Sequence, residues 1–365
     1  MKNPIKTLCT IGILATILVT GCNKNEEASS TPNGQPAIND VDLELRGENG
    51  RKSNIPFSNF YPLTGVGTYK EANQRIFAVM INNHPKARPQ SGLEKADLVY
   101  EILAEGSITR FLAVYQSELP DIIGPVRSAR DYYIYLSKGL GAIYVAYGGS
   151  PESFHLLQNR EITDYIGGII RKGYADDQFF YREKSRTAPH NVYTTNENLI
   201  KGAEKRKFSL TQNVKPFTFL TGEEIKSISG EEAKEIVVTY SSSYKTSFIY
   251  NEDLLKYERY VNGVKDKNRE TKTPIAVDNL LIIEAPHKVI DDAGRLKIDL
   301  NGGGNGYLVQ RGVVREIEWK NHDGRIVPYV DGKDAGFVPG HTWVNVIPTR
   351  PGLEKMISFQ IEDKE

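Results

Sequence analysis

Residues 81–131 read INNHPKARPQSGLEKADLVYEILAEGSITRFLAVYQSELPDIIGPVRSARD, where polar residues interrupt a strand-like apolar background more often than core-building requires. Four arginines, Arg88, Arg110, Arg127 and Arg130, stand there among Asn82, Asn83, His84, Gln90, Glu101, Glu105, Ser128 and Asp131. A guanidinium fork grips a carboxylate or phosphate with two parallel N–H bonds, a geometry that lysine lacks. Arg127 and Arg130 follow Gly124-Pro125. On an expected helix they share one side, close to free helical N–H groups that favour anions. The same residues have an internal use as well, because Glu101, Glu105 and Asp131 can pair with arginines and simply hold strands to helix. The expectation is that Arg88, Arg110, Arg127 and Arg130 line one cleft, with Glu101, His190 and Asn191 at its edge. Three acids against four arginines leave a surplus of positive charge for an anionic ligand.

His84, in Asn82-Asn83-His84-Pro85, and His190, in Pro189-His190-Asn191, are the two histidines with the setting for proton transfer near neutral pH. Their alternative is structural, as loop histidines bonded to backbone. No serine sits in a Gly-x-Ser-x-Gly elbow. No His-x-x-x-His spacing occurs, so no metal site and no cofactor are expected. Asn301-Gly302-Gly303-Gly304-Asn305-Gly306 lacks the Lys-Ser/Thr of a phosphate loop and runs into strand-like sequence, which favours a hairpin or bulge.

Strands are expected over 75–82, 97–103, 110–116 and 142–147, with the second and third joined by a short turn and therefore antiparallel. Helical periodicity covers 126–140. Ser150-Pro151 signals a helix running to about residue 159, and Thr195 caps another over 196–205. Beyond residue 215 the pattern is strand after strand: 216–220, 235–240, 246–250, 256–261, 279–285, 295–300, 306–310, 313–319, 342–347 and 356–361. The fold class expected is α+β in two domains, a mixed sheet with helices over 43–210 and a mostly antiparallel β-rich domain over 211–365.

The amino terminus is a targeting segment. Lys2 and Lys6 precede an apolar run too short for a membrane span, and the run ends in Val19-Thr20-Gly21-Cys22. That tetrapeptide resembles the bacterial lipoprotein signal, which implies a signal peptide over 1–21 and lipidation of Cys22. Cys9 is lost with the signal, leaving Cys22 as the only cysteine of the mature chain, so no intramolecular disulfide is possible. Residues 22–42, rich in Asn, Glu, Ser, Thr, Pro and Gly, read as a flexible tether. Lys plus Arg and Asp plus Glu are both 46, so no global basic field supports nucleic-acid binding or polybasic attachment to lipid.

Taken together, Pro62-Leu63-Thr64-Gly65, Ala87-Arg88-Pro89-Gln90-Ser91-Gly92-Leu93, Ala96-Asp97-Leu98-Val99-Tyr100-Glu101, Gly124-Pro125-Val126-Arg127-Ser128-Ala129-Arg130, Ala188-Pro189-His190-Asn191 and Gly340-His341-Thr342-Trp343 resemble the YerB family of lipoproteins of Bacillus and related Gram-positive bacteria. The resemblance implies a two-domain protein anchored by lipid on Cys22 to the outer face of the cell membrane, and it brings no activity or catalytic residues. Two function classes stand. One is a non-enzymatic envelope module that binds an anionic ligand, a protein partner or a cell-wall ligand. The other is an envelope hydrolase or transferase, with His84 or His190 as base and a carboxylate such as Glu101 as its partner.

Overall fold

The computed structural model describes residues 57–158, 162–168 and 176–360, so the targeting segment, Cys22 and the expected tether lie outside the described residues. The first domain contributes β1 (Phe77–Asn82), β2 (Leu98–Glu105), β3 (Ile108–Tyr115), α1 (Asp131–Gly139), β4 (Ile143–Tyr147), α2 (Pro151–Gln158), β5 (Tyr165–Gly168), β6 (Val192–Thr195) and α3 (Asn196–Arg206). The second contributes β7 (Glu235–Ser241), β8 (Tyr244–Asn251), β9 (Lys256–Val261), β10 (Asn279–Ala285), β11 (Gly304–Gln310), β12 (Val313–His322), β13 (Arg325–Val330), β14 (Thr342–Pro348) and β15 (Ile357–Gln360). The class is α+β with two domains, as the sequence predicts.

One twelve-stranded sheet runs through both domains, in the order β13-β12-β11-β10-β14-β2-β3-β1-β4-β5 with two short strands added at the second-domain end. The join is β14, which lies parallel to β10 on one side and to β2 on the other. Its run TWVNVIP is buried along almost its whole length, as expected of a central strand covered on both faces. Alternation along β1 supplies both faces: Phe77, Val79 and Ile81 enter one core, Ala78 and Met80 the other. Helices α1 and α2 cover the second face through Tyr132, Tyr133, Leu136 and Leu157. Complete burial of one such leucine contributes roughly 2 kcal/mol. The first face is covered by α3 and by a six-stranded antiparallel sheet that includes β7, β8, β9 and β15.

Two expected elements differ. The helix predicted over 126–140 begins five residues later, at Asp131. Residues 125–127 are extended because their backbone is engaged by the sheet: Asn82 N donates to Pro125 O, Arg127 N to Met80 O, and Tyr147 N to Arg127 O. Arg127 and Arg130 therefore do not share a helix face. The strand expected over 216–220 makes only the single bridge Phe219–Phe337. The caps read from sequence are present: Ser150 Oγ accepts from Ser153 N, and Thr195 Oγ1 from Asn198 N.

Candidate anion site

Strands β1, β4 and β5 are mutually parallel, and the segment 124–130 crosses the carboxyl ends of the first two. In open sheets with helical connections this is where ligands bind. Close approach of backbone shapes the crossing. Gly124 has φ +154°, and a Cβ there would lie 2.6 Å from the Tyr193 ring. Gly148, just past β4, has φ +81° and would bring a Cβ to 3.1 Å from Ser128 Oγ.

Past the end of β1, His84 stacks on His190, with ring centroids 4.3 Å apart and planes inclined by 18°. Asn82 holds the pair. Its Oδ1 accepts from His84 N at 3.0 Å, which fixes the amide orientation and turns Nδ2 to His190 Nδ1 at 2.9 Å. An amide nitrogen only donates, so His190 Nδ1 is the acceptor and its ring proton sits on Nε2. His84 Nδ1 likewise accepts from Lys86 N at 3.2 Å. Both imidazoles are thus Nε2–H tautomers with their other nitrogen occupied. Burial lowers the pKa of each. Lys86, Arg88 and Arg127 lower His84 further, and His84, Arg127, Lys86 and Arg186 lower His190 further.

Arg127 is the third member. It is half-buried, and no hydrogen bond or ion pair engages its guanidinium among the described residues. Burial, and then the neighbouring Arg110, push its pKa down to about 10. A guanidinium held without a counter-charge is the electrostatic mark of a place for an anion.

The other arginines expected in the cleft are spent internally. Glu105, re-aimed by a register shift at the end of β2, pairs with Arg110 at 2.6 Å and also with Arg130. Arg110 further donates to Ser128 O at 2.9 Å, and Arg130 to Ala129 O at 2.6 Å. Arg88 donates to Asn83 Oδ1 at 2.9 Å and lies over the Tyr244 ring at 4.7 Å. Asn191 is buried and points into its own loop, accepting from Arg182 at 2.9 Å. Of the seven residues proposed from sequence, the stacked pair and the free guanidinium thus bring together His190 and Arg127, with His84 added.

Glu101 is not at the edge of any cleft. It is fully buried and accepts from Thr109 at 2.9 Å, Arg259 at 3.0 Å and Trp343 Nε1 at 3.1 Å, as well as from Tyr244. Arg259, also fully buried, pairs with Asp266 too and sits 4.6 Å over the Trp343 ring. Arg259, Asp266, Tyr244 and Trp343 all come from the second domain, and no local spacing points to them. The available signal was the lone charge inside the apolar strand LVYEIL, which demands a buried partner; KYERYV carries Lys256, Glu258 and Arg259 and does not single out Arg259. The pairing of Glu101 with a histidine base does not occur, and no carboxylate hydrogen-bonds His84 or His190 among the described residues. A cavity of about 700 Å³ lies in the second domain instead, lined by Glu284, Glu316, Glu318, Asp331 and Glu354. Its charge has the wrong sign for an anion. The glycine run at 302–304 leads into β11 and not into a helix, so it is no phosphate loop.

Comparison with known proteins fits this architecture. Residues 63–209 match the family model described as "Protein of unknown function (DUF3048) N-terminal domain", and residues 236–344 match its C-terminal domain. The chain belongs to this family. It is 44% identical over 291 residues, 79% of this chain and 86% of the relative, to the Bacillus subtilis (strain 168) protein named "Putative lipoprotein YerB". The crystal structure of YerB from Bacillus subtilis superposes with a TM-score of 0.75 at 41% identity, covering 83% of this chain and all of that one. No described helix is long and apolar enough to cross a membrane.

Proposed function

We propose that this protein is a lipoprotein held at the outer face of the cell membrane by lipid on Cys22, and that its first domain binds an oxyanion at Arg127, His84 and His190. The observation that carries the binding role is the uncompensated Arg127 guanidinium beside two imidazoles that present N–H groups. Binding is favoured over hydrolysis because a general base needs a free lone pair. Each Nδ1 lone pair is already taken, by Asn82 in one ring and by Lys86 N–H in the other. The anchoring role is supported by Val19-Thr20-Gly21-Cys22, by the polar stretch that follows, and by the name of the Bacillus relative. A doubly acylated cysteine holds stably where a single chain does not.

Two experiments test this. Full-length protein in detergent, incubated with cell-wall fragments, should retain an anionic component that the Arg127→Ala protein does not. Retention unchanged in Arg127→Ala would refute the site. In cells, Cys22→Ala should move the protein out of the membrane fraction, and continued resistance to mild extraction would refute the anchor.

A further inference from the structure

We propose that the ligand of this site carries two linked anionic groups, of the pyrophosphate class, one held at Arg127 and the imidazole N–H groups and the other met by the Lys86 ammonium. The inference rests on the anion-binding reading and concerns how many charged groups the ligand brings. The segments that build the site are joined to one another. Residues 82–93 bridge to 122–130 through Ser91 and Gly124, Val126 N donates to Val192 O, and Arg186 donates to Pro89 O at 2.6 Å, which brings in 184–196. Together they carry Lys86, Arg88, Arg127, Arg130, Lys184 and Arg186 and contain no Asp or Glu, in a chain whose basic and acidic residues balance at 46 each. Of these cations only Arg130 enters an ion pair among the described residues, with Glu105.

The positive field centres on the histidine pair. Lys86 and Arg127 act on both imidazoles, Arg88 on His84 and Arg186 on His190. The acids behind these arginines are committed elsewhere. Glu101 and Asp266, which act on Arg88, are both clamped on Arg259. Glu183 and Glu270, which act on Arg186, lie 3.8 and 3.9 Å from Arg269. The cations themselves differ in what they can still do. Arg88 is held by Asn83 and the Tyr244 ring, and the spare Nη1 of Arg186 is buried, so both act through their field alone. Arg127 is half-buried and unpaired, and Lys86 is exposed with its ammonium in no ion pair among the described residues. A single compact anion answers Arg127 and leaves Lys86 unmet in a field of its own sign. Like charges gathered in one place repel and draw counter-charge, so a second anionic group linked to the first is favoured over a lone oxyanion.

The test is calorimetric titration of full-length protein in detergent with sodium sulfate and with sodium pyrophosphate, at neutral pH, low ionic strength and without divalent cations. Pyrophosphate should bind at least about fivefold tighter than sulfate, a preference that shrinks as salt is added. Lys86→Ala removes an exposed ammonium, so it should leave the fold and the sulfate affinity nearly unchanged while lowering pyrophosphate affinity by about threefold. Arg127→Ala should abolish both signals, which ties them to this face. Pyrophosphate binding no tighter than sulfate, or a Lys86→Ala protein with no selective loss of pyrophosphate, overturns this inference and leaves the anion site standing. Failure of both anions to bind the unaltered protein, or binding of both that survives Arg127→Ala, removes the anion site, and this inference with it.

Discussion

Two polar clusters lie close together in this fold and use similar residues to opposite ends. At Glu101 both carboxylate oxygens are met by donors, Oε1 from both domains through Thr109 and Tyr244 and Oε2 from Arg259 and Trp343 of the second, with Arg259 clamped between Glu101, Asp266 and the Trp343 ring. At Arg127 the guanidinium is left open beside a stacked histidine pair. A charge closed on all sides contributes to uniqueness of structure and leaves nothing for a ligand. A charge whose pairing is withheld costs stability and keeps its binding capacity.

The strongest way to break the comparison is at the sealed cluster. Glu101→Ala leaves Arg259, Trp343 Nε1 and the Tyr244 hydroxyl without their shared acceptor, inside protein. Removing one partner of a buried pair costs about 3–5 kcal/mol. Urea unfolding of the variant should show that loss, and a change below about 1 kcal/mol would mean the cluster is not holding the domains together. At the open cluster the order is reversed. Arg127→Ala should change unfolding free energy by less than about 0.5 kcal/mol, since no internal partner is lost. Its effect belongs to ligand retention, where one charge-assisted interaction is worth about 1.5–3 kcal/mol. A large drop in stability with retention unaltered would reverse the two assignments.

The histidines sharpen the same contrast. His341 lies at the foot of β14, where burial and the nearby Lys256 ammonium push its pKa down to about 4. A group depressed in the folded state binds fewer protons there than in the unfolded chain. Its stabilising contribution is therefore complete above its usual value of 6.5 and is lost as pH falls through about 4. We expect about 2 kcal/mol of acid destabilisation from this residue after allowance for solvent screening. Unfolding curves between pH 7 and pH 4 should show it, and His341→Gln should flatten that part of the profile. An unchanged slope in the variant would assign the acid loss elsewhere.

How much of this was legible depended on range in sequence. Strands β9 and β10 were read with their observed ends, because alternation and flanking turns are local. Helix α1 starts later than the sequence predicts because VRSARDYYIYL carries helical periodicity from Val126, while the backbone N–H of Arg127 is taken by β1. The tertiary bond overrode the local pattern. Strand β13 carries no clear strand signal, because Pro328 interrupts its run. Placement of β14 between the two domains joins residues far apart along the chain, which spacing cannot reveal. The site was half legible for the same reason. Residue type marked Arg127 and His190 as capable of binding, but only the positions of Glu105 and Asn83 show that Arg110, Arg130 and Arg88 are already committed.

The smallest expected effect tests the tautomer assignment on which the open cluster rests. In Asn82→Asp one oxygen can still accept from His84 N, while the other replaces the amide donor 2.9 Å from His190 Nδ1. An acceptor facing that nitrogen requires a proton on it, and the new negative charge stabilises the imidazolium. Burial and the surrounding cations lower the pKa of His190 in the native protein. In the variant it should rise by at least about one unit, a direction set by an opposite charge at hydrogen-bond distance. Proton NMR titration of the imidazole signals reads this directly, with His341 as an internal reference distant in sequence. The carboxylate also places a negative charge beside Arg127, so anion retention should weaken in the same variant. If His190 titrates at its native position, Asn82 does not set the tautomer, and the imidazoles regain the free lone pair that a general base requires.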